Sequence, residues 1–320
     1  MDKFIGLAGT GYWGRNILRN LYEMGVLHTV CDSNPSVLEE FRKNFPDVSY
    51  TNSFEDMLNN PEIKGIALAT PAVTHFELAE KAILAGKDVF VEKPLAMTFK
   101  EGSILTEMAG INKRILMVGH ILQYHPAVLK LKEMISSGML GSIYYIYSNR
   151  LNIGKLRTEE NVLWSFAPHD ISVAILMAGS EPVAVTAKGG DYLNRGIQDF
   201  VLVSLEFPGQ VKGHIFVSWL NPFKEQKLVI TGSEAMAVFD DTSREKLFFY
   251  PHKVEFKEGR APVAKKADFQ VIPVENGEPL RRELEHFIDC IRERKVPLTD
   301  GSEGLRVLKV LECAQKALRK

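Results

Sequence analysis

A glycine turn between an apolar run and a helical pattern constrains this chain more than any other feature. Lys3-Phe4-Ile5-Gly6-Leu7-Ala8 reads as a buried strand, and Gly9-Thr10-Gly11-Tyr12-Trp13-Gly14 follows it. Trp13, Ile17, Leu21 and Met24 then recur at helical spacing. In a strand–turn–helix unit, Gly9 allows the tight turn and Gly11 lets backbone approach a pyrophosphate. Gly14 lets the helix lie close to the strand, and the helix N-terminus favours the anion. Asp32 closes the second apolar run, Leu27 to Cys31, and falls 18 residues after Gly14 (32 − 14). That is near the roughly 20-residue offset at which an acid bonds a ribose hydroxyl. A carboxylate there repels an added phosphate, so NAD is favoured over NADP, although Ser33 and Asn34 leave room for one. The alternative is a plain turn followed by a helix-capping Asp.

The first third of the chain goes on alternating. Pro35 to Asn44 reads as a helix, Ser49 to Thr51 as a strand, and Ser53 as the cap of a short helix. Gly65 to Ala69 is a strand, Thr74 to Ala85 a helix, Asp88 to Glu92 a strand, Lys100 to Gly110 a helix and Ile115 to Val118 a strand. This alternation predicts an α/β Rossmann domain, a doubly wound parallel sheet with helices on both faces, over residues 1–119. After Gly119 the pattern changes. A helix from His125 to Ser137 is followed by strands at 142–152, 183–193, 199–207, 211–219, 224–231, 235–239 and 246–250, interrupted by a helix near His169 to Ala178. Residues 120–320 are therefore expected to form an α+β domain with a large, mostly antiparallel sheet. Lys253 to Pro279 reads as an extended surface segment, and two helices close the chain.

Composition excludes several functions. The 320 residues are 45% hydrophobic and 25% charged with net charge -1, so there is no global pull toward nucleic acid or an anionic membrane. No apolar run reaches the roughly 18 residues of a membrane span. Three scattered cysteines fit a reducing cytoplasm, and a strand starting near Phe4 leaves no room for a signal peptide. His75, His120, His125 and His169 lack compact ligand spacing, so no metal is expected.

Glu92-Lys93-Pro94 stands at the end of the fifth strand, where open α/β sheets bind ligands. An ammonium there can bond a substrate hydroxyl, depress its pKa and relay its proton. A structural ion pair with Glu92 is the alternative. Thr70-Pro71-Ala72-Val73-Thr74-His75 follows the fourth strand on the same side, so Thr70, Pro71 and His75 are candidate cofactor contacts. Thr74 as a helix cap and His75 as a first-turn residue is the simpler reading. Beyond the last Rossmann strand, His120, Gln123 and Tyr124 are candidates for the substrate side, with packing as the alternative. His169 follows Pro168 at an expected helix start, and histidine suits proton transfer near neutrality. Arg150, Lys155 and Arg157 fit a solvated loop better than a substrate anion site.

The glycine turn, Ala69-Thr70-Pro71-Ala72-Val73-Thr74-His75, Glu92-Lys93-Pro94 and His169 together resemble the Gfo/Idh/MocA oxidoreductase family. The resemblance implies hydride transfer between NAD(P) and a hydroxyl carbon of a sugar or polyol. It also implies a cleft between the domains and a C-terminal sheet whose open face forms homodimer or homotetramer contacts. Lys93 and His169 would be the catalytic pair. Tyr12, Trp13, Ser33 and Glu92 would join Gly9, Gly11, Gly14 and Asp32 around the cofactor. Many relatives carry Asp four residues before the histidine, where this chain has Ser165, a group that can bond substrate but cannot act as a carboxylate. Asn161 to Ile171 and Glu278 to Phe287 are similar to a branch that oxidises ring hydroxyls of UDP-activated N-acetylated uronic acids. The Ser165 replacement also motivates a catalytically silent NAD-binding sensor or oligomeric partner. An NAD-dependent glycosidase is the third alternative.

Overall fold

The structure, a computed structural model, describes residues 2–154, 156–256 and 261–319. Compactness divides the chain into two units, residues 1–121 with 278–308, and 122–277 with 309–320. This differs from one continuous cut after residue 119, because a C-terminal segment returns to the first unit.

In the first unit, β1 (Ile5–Ala8), β2 (Leu27–Cys31), β3 (Ser49–Thr51), β4 (Gly65–Leu68), β5 (Asp88–Glu92) and β6 (Leu116–Gly119) alternate with helices. The helices are α1 (Gly14–Glu23), α2 (Pro35–Asn44), α3 (Phe54–Asn59), α4 (His75–Leu84) and α5 (Phe99–Ile111). All strands are parallel, in the order β3-β2-β1-β4-β5-β6. The doubly wound expectation is met. β1, β4, β5 and β6 are buried throughout, as strands covered on both faces must be. Local signals set the helix starts. Asn34 accepts from the Ser36 N–H with Pro35 at the first helical position, Ser53 accepts from Asp56, and Thr98 with Glu101 forms a reciprocal capping box. The strand order reverses between β1 and β4, which puts a crevice at the carboxyl ends of those strands.

In the second unit, α6 (Pro126–Ser136) precedes β7 (Ile143–Ile153) and α7 (Val162–Ala178). Then come β8 (Ala184–Gly190), β9 (Phe200–Glu206), β10 (Lys212–Ser218), β11 (Leu220–Gly232), β12 (Met236–Asp240) and β13 (Leu247–Tyr250). With the short β16 (Gln270–Val271) these make an eight-stranded sheet, β16-β13-β12-β11-β7-β10-β9-β8, antiparallel except for the β10–β7 pair. Burial alternates along β9, with Val201, Val203 and Leu205 inward, so one face is packed. α7 lies against β10, β7 and β9. Part of the expected surface segment forms a separate ribbon, β14 (Lys253–Glu255) with β15 (Val263–Lys265).

α7 corrects one expectation. His169 does not start a helix; α7 begins at Val162, capped by the Asn161 side chain on the Trp164 N–H, and Pro168 lies inside it. Proline there removes one i→i−4 hydrogen bond and normally favours a break. Here the burial of twelve helix residues, Leu163, Ala167, Ile171 and Ala174 among them, outweighs that local cost.

The returning segment carries α8 (Pro279–Glu293) and the start of α9 (Gly301–Ala317). α8 buries Leu280, Glu283, Leu284, Phe287, Ile288 and Ile291. Phe287 packs on Phe90 of β5, and Arg294 pairs with Asp88 at 2.6 Å, at the amino end of that strand.

Candidate functional site

Parallel register places three sequence motifs along one edge of the first sheet. The glycine turn follows β1, the Thr70 loop follows β4 and Lys93 follows β5, and these strands are adjacent. Each glycine has its own requirement. Gly9 has φ +89°, and a Cβ there would meet Ala69 O at 2.7 Å; a Cβ on Gly14 would meet Gly9 O at 2.1 Å. Gly11 faces open space instead, which is what close approach by a phosphate needs. A groove of about 470 Å³ lies beside it, lined by Thr10, Gly11, Tyr12, Arg15, Asp32, Asn34 and Val37. Glycines that only made a turn would not need this open concavity, so the residues present fit a dinucleotide.

Asp32 sits on the groove wall. Its Oδ2 accepts from the Thr10 N–H at 2.8 Å and the Thr10 hydroxyl at 2.6 Å, and its Oδ1 accepts from the Asn34 N–H at 3.0 Å. Burial pushes the carboxyl up, but these hydrogen bonds outweigh it and hold the group below the ordinary aspartate value. Asp32 is therefore a fixed anion. Asn34, not Asp32, caps α2. Tyr12 and Ser33 are exposed, Pro71 is exposed and Thr70 half-buried.

The strand tip is tied down from both sides. The Trp13 indole N–H donates to Glu92 Oε1 at 2.6 Å, which joins the glycine turn to the end of β5. The Lys93 N–H donates to Glu92 Oε2 at 3.3 Å, and the Lys93–Pro94 peptide is cis. Glu92 lies opposite Gly119 in the β5–β6 register, and a Cβ on Gly119 would meet its carboxylate at 3.0 Å. Burial raises the Glu92 carboxyl to about 7, against the opposing pull of Trp13, Lys93 and His120. Glu92 thus braces the Lys93 tip from beneath.

His75 is turned inward. It is 1% exposed, with Nδ1 2.7 Å from Pro94 O and Nε2 3.0 Å from Thr70 O. Burial holds it below the ordinary histidine value, and the Lys93 charge adds to that. A neutral ring has one proton, so it can donate to only one of these two carbonyl oxygens. The ring lies between the Thr70 loop and Pro94. Thr74 begins α4 without a side-chain cap, its hydroxyl bonding Thr70 and Pro71 instead.

The proposed substrate-side trio is likewise enclosed. His120 is 1% exposed and its Nδ1 makes a short contact with Glu303. Gln123 is buried and donates to the Ser172 hydroxyl at 2.6 Å, and Tyr124 is buried.

In the second unit, Ser165 and His169 are one turn apart on α7, so they share a face. Ser165 is buried and His169 half-buried. Asp170 points elsewhere, as expected of the next residue on a helix. It takes Arg150 Nε at 2.6 Å and the Ser148 hydroxyl, so Arg150 is not a solvated loop residue but a half-buried member of β7 paired with α7. Arg157 pairs with Glu160 at 2.8 Å, and Lys155 lies outside the described residues. Among the described residues no three His, Cys, Asp or Glu side chains are grouped to hold a metal, and no helix is long and apolar enough to cross a membrane.

Sequence reasoning missed Glu283, which is wholly buried on α8. The signal was available: Glu283 falls three residues after Leu280 and four before Phe287, on the apolar stripe.

The family "Oxidoreductase family, NAD-binding Rossmann fold" matches residues 3–120, and the "GFO/IDH/MocA C-terminal domain" matches residues 128–238. The chain belongs to the Gfo/Idh/MocA family. It is an NAD-binding oxidoreductase. The scyllo-inositol 2-dehydrogenase (NAD(+)) of Bacillus subtilis (strain 168) is 24% identical over 329 residues, covering 98% of this chain and 93% of that one. The UDP-N-acetylglucosamine 3-dehydrogenase of Acidithiobacillus ferrooxidans is 30% identical over 190 residues, 58% of this chain and 57% of that one. A solved structure of an Acidithiobacillus ferrooxidans UDP-N-acetylglucosamine 3-dehydrogenase superposes with a TM-score of 0.85 at 23% identity, covering 98% and 97% of the two chains. At that identity the superposition speaks for the fold.

Proposed function

We propose that this protein is an NAD-dependent dehydrogenase acting on a ring hydroxyl carbon of a sugar or sugar nucleotide. UDP-activated N-acetylated uronic acids are the substrate class to try first. The observation that carries the reading is Lys93 at the end of β5, on the sheet edge shared with the glycine turn. The residues that would hold the cofactor are Gly9, Gly11, Tyr12, Trp13 and Gly14 along the pyrophosphate, and Asp32 with Ser33 at the adenosine ribose. Thr70, Pro71 and the Glu92-Lys93 tip would stand at the nicotinamide end. When bound, the nicotinamide accepts the hydride in the oxidising direction and donates it in reverse. Lys93 bonds the substrate hydroxyl oxygen and stabilises negative charge developing there. His169 takes the hydroxyl proton on oxidation and returns it on reduction. Ser165 offers a hydrogen bond where a carboxylate would offer charge. The fixed anion at Asp32 disfavours the extra phosphate of NADP.

Assembly is part of the proposal. The outward face of the eight-stranded sheet carries Tyr147 stacked on His214 at 5.2 Å, with Val229 and Val238 further along neighbouring strands. A homodimer or homotetramer formed through this face would cover them, and sedimentation of the purified protein tests it.

The deciding experiment follows NADH absorbance over a panel of sugars, polyols and nucleotide sugars, comparing the wild type with Lys93→Ala and His169→Ala. Turnover that both variants lose, with NADH binding retained, supports the reading. Turnover that neither variant changes refutes the assigned roles. No turnover on any member of the panel favours the silent NAD-binding alternative.

A further inference from the structure

Thr10 stands between the first two glycines of the turn and is 1% exposed. A hydroxyl so enclosed needs a partner. It has one in Asp32: the Thr10 hydroxyl donates to Oδ2 at 2.6 Å, and the Thr10 N–H donates to the same oxygen at 2.8 Å. The Asn34 N–H donates to the other oxygen, Oδ1, at 3.0 Å. An ionised carboxylate offers about four acceptor positions, two on each oxygen. Among the described residues, Thr10 fills both positions on Oδ2 and Asn34 fills one on Oδ1. One position is left, on Oδ1, and Asp32 lines the groove beside Gly11. The Thr10 N–H would reach Oδ2 from most residue types; the hydroxyl is what threonine adds.

We propose that Thr10 is a positioning residue that sets cofactor choice: it holds Oδ2 of Asp32 within the protein, so that Oδ1 alone meets the adenosine ribose and accepts from one hydroxyl rather than two. This role rests on the reading of Asp32 as the acid at that ribose. Burial works against the charge of Asp32, and the Thr10 hydroxyl leads the hydrogen bonds that overcome it. A carboxylate held by two donors on one oxygen is not free to turn, so a 2′-phosphate meets its negative charge in full. Without the hydroxyl, one donor remains on Oδ2 and the acid can swing aside. Arg15 lines the same groove, an exposed side chain whose pair with Glu40 spans 3.5 Å. Such a pair is weak, so its guanidinium can meet a phosphate once Asp32 has turned.

The test reads binding and needs no substrate. NADH and NADPH are titrated into wild type, Thr10→Val and Thr10→Ser. Thr10→Val keeps the side-chain shape and removes the donor. It should weaken NADH about tenfold and NADPH much less, lowering the preference for NADH about fivefold. Thr10→Ser, which keeps the hydroxyl, should stay near wild type in both. A merely structural defect weakens both cofactors alike, so a wild-type NADH-to-NADPH ratio in Thr10→Val refutes the role in cofactor choice. The single open position is tested in proteins that keep Thr10. NADH lacking either the 2′- or the 3′-hydroxyl of the adenosine ribose is bound to wild type and to Asp32→Ala. The loss caused by one deletion should vanish in Asp32→Ala, and the loss caused by the other should be the same in both proteins. Coupling of Asp32 to both hydroxyls refutes the single position. Coupling to neither takes Asp32 away from the ribose, and the inference then falls with that reading, while the proposed role of Lys93 is untouched.

Discussion

Each unit buries a cluster of charged residues, and the two clusters are built on opposite terms. In the second unit, Asp170 meets Arg150 and the Ser148 hydroxyl, so opposite charges and a hydroxyl satisfy one another. In the first unit, Glu92, Glu283 and Glu303 place three acids around the His120 ring and the Lys93 tip, and one acid has no hydrogen-bond partner among the described residues. Full compensation gives a charge pair that is hard to perturb. Partial compensation gives groups that keep their protons to higher pH than an ordinary glutamate does.

The largest effect should come from the compensated pair. Asp170→Ala leaves the largely buried Arg150 charge unpaired and should cost about 3–5 kcal/mol in urea unfolding. Adding Arg150→Met should recover much of that loss, and a double variant no better than the single would break the comparison. Next comes Lys93→Ala, expected to reduce turnover about a hundredfold to ten-thousandfold while NADH affinity changes little. A comparable loss of NADH binding would mean that Lys93 holds the cofactor rather than the hydroxyl.

The pH response sharpens the contrast. Glu92 and Glu283 have raised values in the folded state, so the native protein holds protons that the unfolded chain has already released. Their stabilising contribution is fully present below the ordinary glutamate value near about 4.5 and is lost as pH rises through about 7 and above. The midpoint temperature should therefore fall between pH 5 and pH 9, and Glu92→Gln should flatten the fall. A wild-type midpoint that rises over this range would contradict the whole account. Trp13→Phe, which removes one hydrogen bond to a charged group, should cost about 1.5–3 kcal/mol in the same assay. The smallest effect is expected from Asp32→Ala, which should shift preference toward NADP by about tenfold, roughly 1.4 kcal/mol, in paired binding titrations.

The cofactor half of the site was legible because its signals are local. Gly9, Gly11 and Gly14 answer to backbone geometry within six residues, and Asp32 follows from strand length. The strand ends that put Thr70 and Lys93 on one edge follow from parallel order alone. His169 was misplaced because Pro168 was taken at its local value, whereas α7 is held by burial against strands distant in sequence. The enclosure of His120 and Gln123 was not legible because their partners, Glu303 and Ser172, lie 183 and 49 residues away. Glu283 was passed over because a glutamate on a helix is ordinarily solvated, although its spacing from Leu280 and Phe287 puts it on the apolar stripe.

The return of residues 278–308 to the first unit has a consequence for synthesis. A ribosome releases all six strands of the parallel sheet long before it makes α8. Until then Phe90 lacks Phe287, Val118 lacks its bond from Thr299, and His120 waits for Glu303. The nascent domain carries its glycine turn and lysine tip with an open flank, and it closes only when the last helices emerge. Molecules truncated before residue 278 should therefore be sensitive to proteolysis along β5 and β6.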